Sequence, residues 1–244
     1  MHLPARFSAL FAAAALAVCA AAAPAQTSSS QTPGQTVNTP PAQTGNGSYI
    51  AINPLAGVRY NNKWDISATM AYQHIKAGPT VLQGANLGGF DLSGSMYMSR
   101  RWRVESSVRG FYGTSGIGNL NSLNQKGPFI SEYLFTAGPE WLGPHNAHGA
   151  IYLHALGGGA YGDFEGDLHG QNAQGAGFYN NQIAPAAILG GHIDLNRSAR
   201  WVFRITPDAV MTHYSINYPP NTSQFDVNFA ISVGVQYKFL SRRK

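Results

Sequence analysis

The clearest pattern in the chain lies close to its C-terminal end. Phe225, Val227, Phe229, Ile231, Val233, Val235, Tyr237 and Phe239 take every odd position, and Asp226, Asn228, Ala230, Ser232, Gly234, Gln236 and Lys238 stand between them. Successive side chains of a strand point to opposite faces, so this segment has one wholly apolar face. It is long for a soluble strand, which usually has about 5–6 residues, and long enough to cross a bilayer, which takes a tilted strand of roughly 9–11. The same period of two, weaker each time, predicts seven earlier strands over 64–76, 86–98, 102–114, 129–142, 150–163, 183–195 and 201–214. Ile66, Met70 and Tyr72 face outward on the first, Phe90, Leu92 and Met96 on the second, and Tyr133, Phe135 and Trp141 on the fourth. The parity of the fifth stays open, because Tyr152, Leu153 and Leu156 do not alternate cleanly. No stretch after Lys63 has the uninterrupted apolar length of a transmembrane helix.

The connections alternate as well. Those at 99–101, 143–149 and 196–200 are short. Those at 77–85, 115–128, 164–182 and 215–223 are mostly longer and rich in Gly, Asn and Ser. An even number of antiparallel strands, with short turns at one end and long loops at the other, is the pattern of a transmembrane barrel. Closure leaves no unpaired strand edge in lipid, which is why a sheet must close to span. The expected fold is therefore all-β, an eight-stranded antiparallel up-and-down transmembrane β-barrel over 63–239. Trp64, Trp102 and Trp201 begin strands and Trp141 ends one, so all four fall at the short-turn rim as an interfacial girdle. Tyr72, Tyr112, Tyr161, Tyr214 and Phe225 are expected to form the second girdle.

Composition agrees. The chain is 44% hydrophobic and only 11% charged, against roughly 25% charged in ordinary soluble domains. A single Cys excludes a disulfide framework. The net charge of +5 is spread along the chain, which argues against a nucleic-acid partner. Arg6 followed by an apolar run and Ala23-Pro24-Ala25 reads as a secretory signal peptide over 1–25, which would carry Cys19 away. Residues 26–47 are polar, uncharged and Pro-rich, and read as a disordered linker. Residues 48–62 read as a periplasmic lead-in, and 240–244 as a basic tail.

From Lys63 onward the chain resembles the small outer-membrane β-barrel family, the class of the transmembrane domain of outer-membrane protein A. The resemblance rests on the leader, the eight alternating strands and the closing Gly234-Val235-Gln236-Tyr237-Lys238-Phe239. It implies the outer membrane of a Gram-negative bacterium, phospholipid and lipopolysaccharide as neighbours, a monomer, and recognition by the barrel-assembly machinery through the strand ending at Phe239. Leu240-Ser241-Arg242-Arg243-Lys244 departs from the family's terminal pattern.

Gly157 to Gly162 matches G-x-G-x-x-G, but no helix follows to receive a phosphate, and Gly in a barrel strand more often permits close packing. His145 and His148 lie in a turn without acidic neighbours. Asp163, Glu165, Asp167 and His169 alternate at a loop mouth, where hard oxygen ligands could take Ca²⁺ or bridge lipopolysaccharide. His213-Tyr214-Ser215 is similar to the H-x-S-N motif of lipid A deacylases, with Ile216 in place of Asn and only Asp226 available as the third group. No catalytic, cofactor-binding or metal-ligating set is singled out, and no enzyme is expected.

Parity also places Arg103, Arg109, Arg204 and Lys238 inside, with Asp65, Asp91, Glu105, Glu132, Glu140, Asp194, Asp208 and Asp226. Buried charges are tolerable only when paired, so a salt-bridged plug is expected, with Arg103 near Glu140, Arg204 near Asp208 and Arg109 near Asp208. Asp91, Glu132 and Asp226 are expected unpaired toward the long-loop mouth. An interior of eight strands is just filled by its own side chains. The expected function is a structural, envelope-anchoring or surface-adhesive role with a closed lumen. The alternatives are a narrow cation-selective channel and a lipid A-modifying hydrolase using His213 and Ser215.

Overall fold

In a computed structural model, which describes residues 53–79, 84–115, 127–166, 168, 173–216, 222–223 and 225–239, the chain closes into a barrel of eight antiparallel strands. The strands are β1 (Trp64–Lys76), β2 (Gly84–Tyr97), β3 (Trp102–Ser115), β4 (Phe129–His145), β5 (Gly149–Gly166), β6 (Gln182–Asn196), β7 (Trp201–Thr212) and, after a small ribbon of β8 (Ser215–Ile216) with β9 (Thr222–Ser223), β10 (Asp226–Phe239). Each barrel strand pairs with its neighbour in sequence. β10 returns to β1, running from Trp64 opposite Phe239 to His74 opposite Phe229. The segments read as leader and linker (1–47), the first part of the lead-in (48–52), the basic tail (240–244) and Asp167 and His169 lie outside the described residues.

Burial follows the alternation. In β1 every second side chain from Asp65 to Ile75 is buried, while Trp64, Ile66, Met70 and Tyr72 are exposed. The outward apolar face is continuous around the barrel, and Met70, Phe135 and Val227 are each about three-fifths exposed. Only lipid makes such a belt stable, because water would be met by an apolar surface far larger than monomers expose. In β5 the open parity resolves: the even positions Tyr152, His154, Leu156 and Ala160 are buried and Leu153 faces out at 54% exposure. Leu153 blurred the pattern only because Tyr152 beside it is an inward aromatic.

The girdles bound the belt. At the short-turn rim Trp102 lies opposite Trp141, Trp201 opposite Tyr237 and Trp64 opposite Phe239. Toward the long loops Tyr112, Tyr133 and Tyr161 pack in a row, with ring centroids 5.6 and 6.5 Å apart. Eight to ten residues separate the rings of one girdle from those of the other along a strand. At ~3.3 Å per residue and a tilt of about 40°, that is roughly 20–25 Å of apolar height.

Tyr214 does not join the second girdle. β7 ends at Thr212, two residues before the predicted end, and the ring turns inward and is 1% exposed. Even positions of β7 face the lumen, and Tyr214 keeps that side. Prolines also mark the wall: Pro139 and Pro144 in β4, Pro185 in β6 and Pro207 in β7. Pro139 and Pro207 cannot donate to a ladder. The β4–β5 pairing passes from Ala137 opposite Gly157 to Glu140 opposite His154, and the β6–β7 pairing from Gly190 opposite Asp208 to Ile193 opposite Ile205.

Candidate functional site

The lumen contains the barrel's charge, in layers set by strand register. Nearest the short turns, Tyr60 of the lead-in lies against the rim. Its hydroxyl donates to the Asn146 carbonyl (2.8 Å) and accepts from Asn196 Nδ2 (2.6 Å). Lys238 Nζ donates to Asn196 Oδ1 (2.9 Å) and lies 4.4 Å from the Tyr60 ring centre. Burial pushes the Tyr60 phenol above the ordinary tyrosine value, against the pull of the Asn196 hydrogen bond.

Above this lies Arg103. Its guanidinium is held between the rings of Tyr97 (4.7 Å) and Tyr152 (4.8 Å). Nη2 donates to both Asp65 oxygens, at 2.5 and 2.6 Å, and Nε is 3.2 Å from Glu140 Oε2. His192 Nε2 is 3.0 Å from the other Glu140 oxygen. Beside it Arg204 grips Asp194 with two donors, Nε at 2.8 Å and Nη2 at 3.0 Å. The cross-strand register sets these pairs: Arg103 faces Glu140, and Asp194 faces Arg204.

The next layer is a bridged chain. Arg109 Nη2 reaches Asp208 Oδ2 at 2.6 Å and its Nε reaches Asp91 Oδ2 at 3.3 Å. Ser107 donates to Asp91 (2.8 Å) and accepts from Arg109 (3.1 Å). His154 places Nδ1 2.8 Å from Glu105 Oε2 and Nε2 2.9 Å from Asp208 Oδ1. Gly190, opposite His154, is glycine for room: a Cβ there would collide with the Asp208 carboxylate.

Toward the long loops the lumen changes character. Phe111, Ile130, Leu134, Leu156, Ile188 and Val210 form one buried apolar cluster with the rings of Phe164, Phe178, Tyr179 and Tyr214. Two carboxylates stand in it. Glu132 is fully buried and accepts from Tyr214 (2.8 Å) and Gln73 Nε2 (2.9 Å). Asp226 accepts from Tyr179 (2.6 Å), with Lys76 Nζ at 3.5 Å. Burial first, then the neighbouring carboxylate, raises both phenols above the usual range, so both stay donors. Gly162 leaves space for this cap, since a Cβ there would lie 2.5 Å from the Phe164 ring.

All twelve interior charges assigned by parity are buried. The expected Arg103–Glu140 and Arg109–Asp208 pairs form. Arg204 takes Asp194 instead of Asp208, because register sets Asp194 directly across from it while Arg109 and His154 occupy Asp208. Asp91 is paired, since it faces Arg109 on the adjacent strand. Sequence reasoning missed His154 and His192. The even parity that marked Asp194 would have placed His192, whereas His154 sat on the strand of open parity.

The other motifs stay apart. Gly157 to Gly162 lie within β5. His145 packs its ring on Tyr60 and His148 is exposed in the turn. The Ser215 hydroxyl donates to Gln182 Oε1 (3.2 Å), and the His213 ring lies against Phe225 at 4.4 Å. With Asp226 engaged by Tyr179 and Lys76, the three groups of the hydrolase reading each have separate partners.

No protein-family model matches the chain, and no curated protein does. Solved structures do. Neisserial surface protein A aligns over 72% of this chain and 97% of its own, at 13% identity and TM-score 0.50. The outer membrane protein OprG of Pseudomonas aeruginosa aligns over 76% of this chain and 99% of its own, at 18% identity and TM-score 0.48. Ail, the attachment invasion locus protein of Yersinia pestis, aligns over 74% of this chain and all of its own, at 18% identity and TM-score 0.43. At such identities the likeness concerns the fold alone, and of the three the Neisserial protein carries it. Together, the closed ladder and that likeness give the chain the fold of the small eight-stranded barrels of the bacterial outer membrane, and the apolar belt sets that barrel in lipid.

Proposed function

We propose that this is a closed barrel: an envelope anchor that presents its long loops at the cell surface for structural or adhesive contact. The supporting observation is the filled lumen. An ion-paired plug occupies the half toward the short turns, and an apolar core under an aromatic cap occupies the other. A solute crossing would have to break paired charges in a low-dielectric interior and then enter hydrocarbon-like packing, and both are costly. With transport opposed, the loops and rims are the surfaces left for function. Vesicles carrying the purified protein should show no swelling in small neutral sugars. Cells expressing it should attach to host surfaces, or hold envelope shape, better than cells without it. Rapid swelling would overturn the closed reading, and loss of neither property on deletion would overturn the anchoring role.

A second reading, a narrow cation-selective leak, draws on one observation. Among the described residues eight carboxylates line the interior against four Arg and Lys side chains. If the plug rearranges, such a lumen favours cations.

A further inference from the structure

The middle of the plug brings one carboxylate and two imidazoles together, beside Asp208 and Glu140. Glu105 on β3, His154 on β5 and His192 on β6 each offer a ligand atom, and these atoms lie within 4.8 Å of one another. All three residues are buried, and the two imidazole side chains are inaccessible to solvent. Their ring centres are 5.9 Å apart. We propose that Glu105, His154 and His192 form a binding site for one divalent transition-metal ion of the zinc class, held in the lumen as an internal cross-link between β3, β5 and β6.

Three features support it. Two imidazoles and one carboxylate are a ligand set that suits Zn²⁺. Second, His192 Nδ1 has no hydrogen-bond partner, and Nε2 has only the Glu140 carboxylate, 3.0 Å away. A buried polar group without a partner calls for an explanation such as an ion. Third, the plug around them holds six carboxylates, Asp65, Asp91, Glu105, Glu140, Asp194 and Asp208, against Arg103, Arg109, Arg204 and Lys238. One divalent cation balances that deficit of two with both imidazoles neutral, taking the place of the two imidazolium ions that otherwise face these carboxylates.

The surroundings are those of a metal ligand. Asp208 contacts His154 at the nitrogen opposite Glu105. A carboxylate on the far nitrogen is the usual device for orienting a ligating imidazole. Ligand atoms around tetrahedral zinc sit about 3.3 Å apart. The Glu105–His154 contact of 2.8 Å must therefore open by roughly half an ångström to admit the ion, and the most widely spaced ligand atoms, up to 4.8 Å apart, must close by as much as about 1.5 Å.

The test uses the full-length protein refolded into detergent with Zn²⁺ present, then stripped of free metal. One zinc should stay bound per barrel by elemental analysis. His192→Gln and Glu105→Gln should each lower that affinity at least tenfold, and His148→Ala, in the exposed turn, should leave it unchanged. Should a lumen variant fail to fold, ¹⁵N-histidine NMR of the wild type substitutes: zinc must shift the side-chain nitrogens of His154 and His192 and spare His148. A folded wild type that retains no zinc overturns the site. So does zinc that is lost with His148→Ala and kept in His192→Gln. Neither readout depends on whether the barrel conducts, so its failure is distinct from that of the closed-lumen reading.

Discussion

At the scale of single residues, Arg103 shows why the plug is a unit. It carries two carboxylates and two aromatic faces at once. Arg103→Ala leaves Asp65 and Glu140 buried and uncompensated, a change that costs about 3–5 kcal/mol. The midpoint of urea unfolding, followed by Trp fluorescence in lipid vesicles, should fall accordingly. Arg103→Lys should recover little of it, because an ammonium has no planar guanidinium to reach Asp65 through one nitrogen and Glu140 through another while stacking between rings. By contrast, Arg200→Ala should be near neutral, since its 3.4 Å contact with Tyr237 is exposed. If the Arg200 variant lost as much as the Arg103 variant, the plug would not be the source of stability. On the opposite face, Val233 sits mid-strand in lipid at 39% exposure, opposite Met70 and Ile205. Val233→Arg should cost about 2–4 kcal/mol and reduce heat-modifiable, assembled protein. Much of this was legible in the sequence, because period two fixes which side chains face inward. Partners were less so: which carboxylate an arginine takes depends on register and shear, and Arg204 passed over Asp208, four residues away on its own strand, for Asp194 across the ladder.

At the scale of elements, the strands were read nearly to their ends and the cap was not. Prolines and glycines blur a strand's edges. β4 continues through Gly143 and Pro144 to His145 because a register shift between Leu142 and His145 absorbs them. The cap joins Phe164, near the end of β5, to residues beyond the strands: alternation gives Tyr179 no position, whereas the even-inward parity of β7 that marked Arg204 and Asp208 already points Tyr214 into the lumen and not to the girdle. The hydroxyls of the two tyrosines tie loop segments to Glu132 and Asp226 inside the wall. Tyr214→Phe leaves Glu132, fully buried, with Gln73 as its remaining donor among the described residues. Losing one donor to a buried carboxylate costs on the order of 1–3 kcal/mol. Deuterium uptake should rise over 178–181 and 213–216 and stay unchanged in the short turns. Uniform uptake across both rims would mean that the tyrosine supports the barrel as a whole and not the cap.

At the scale of the molecule, charge separates the two rims. Arg59, Lys63, Arg100, Arg101, Arg197 and Arg200 gather at the short turns. That rim should face the periplasm, where cations meet anionic phospholipid headgroups. The chain's one cysteine lies in the segment read as a leader, so single-cysteine variants report orientation directly. A membrane-impermeant maleimide on intact cells should label Pro79→Cys, on the long-loop side, and spare His148→Cys in a short turn; the reverse would invert the barrel. The central claim is that the lumen is closed by the plug and the apolar core together. Single-channel recording of the purified barrel in a planar bilayer tests it most directly. Wild type should be silent or give brief, small, cation-selective events, and Arg204→Ala, which leaves Asp194 unpaired, should make them larger and more frequent. A large, stable, anion-selective conductance in the wild type would contradict both the plug and the inward assignment of the charges that build it.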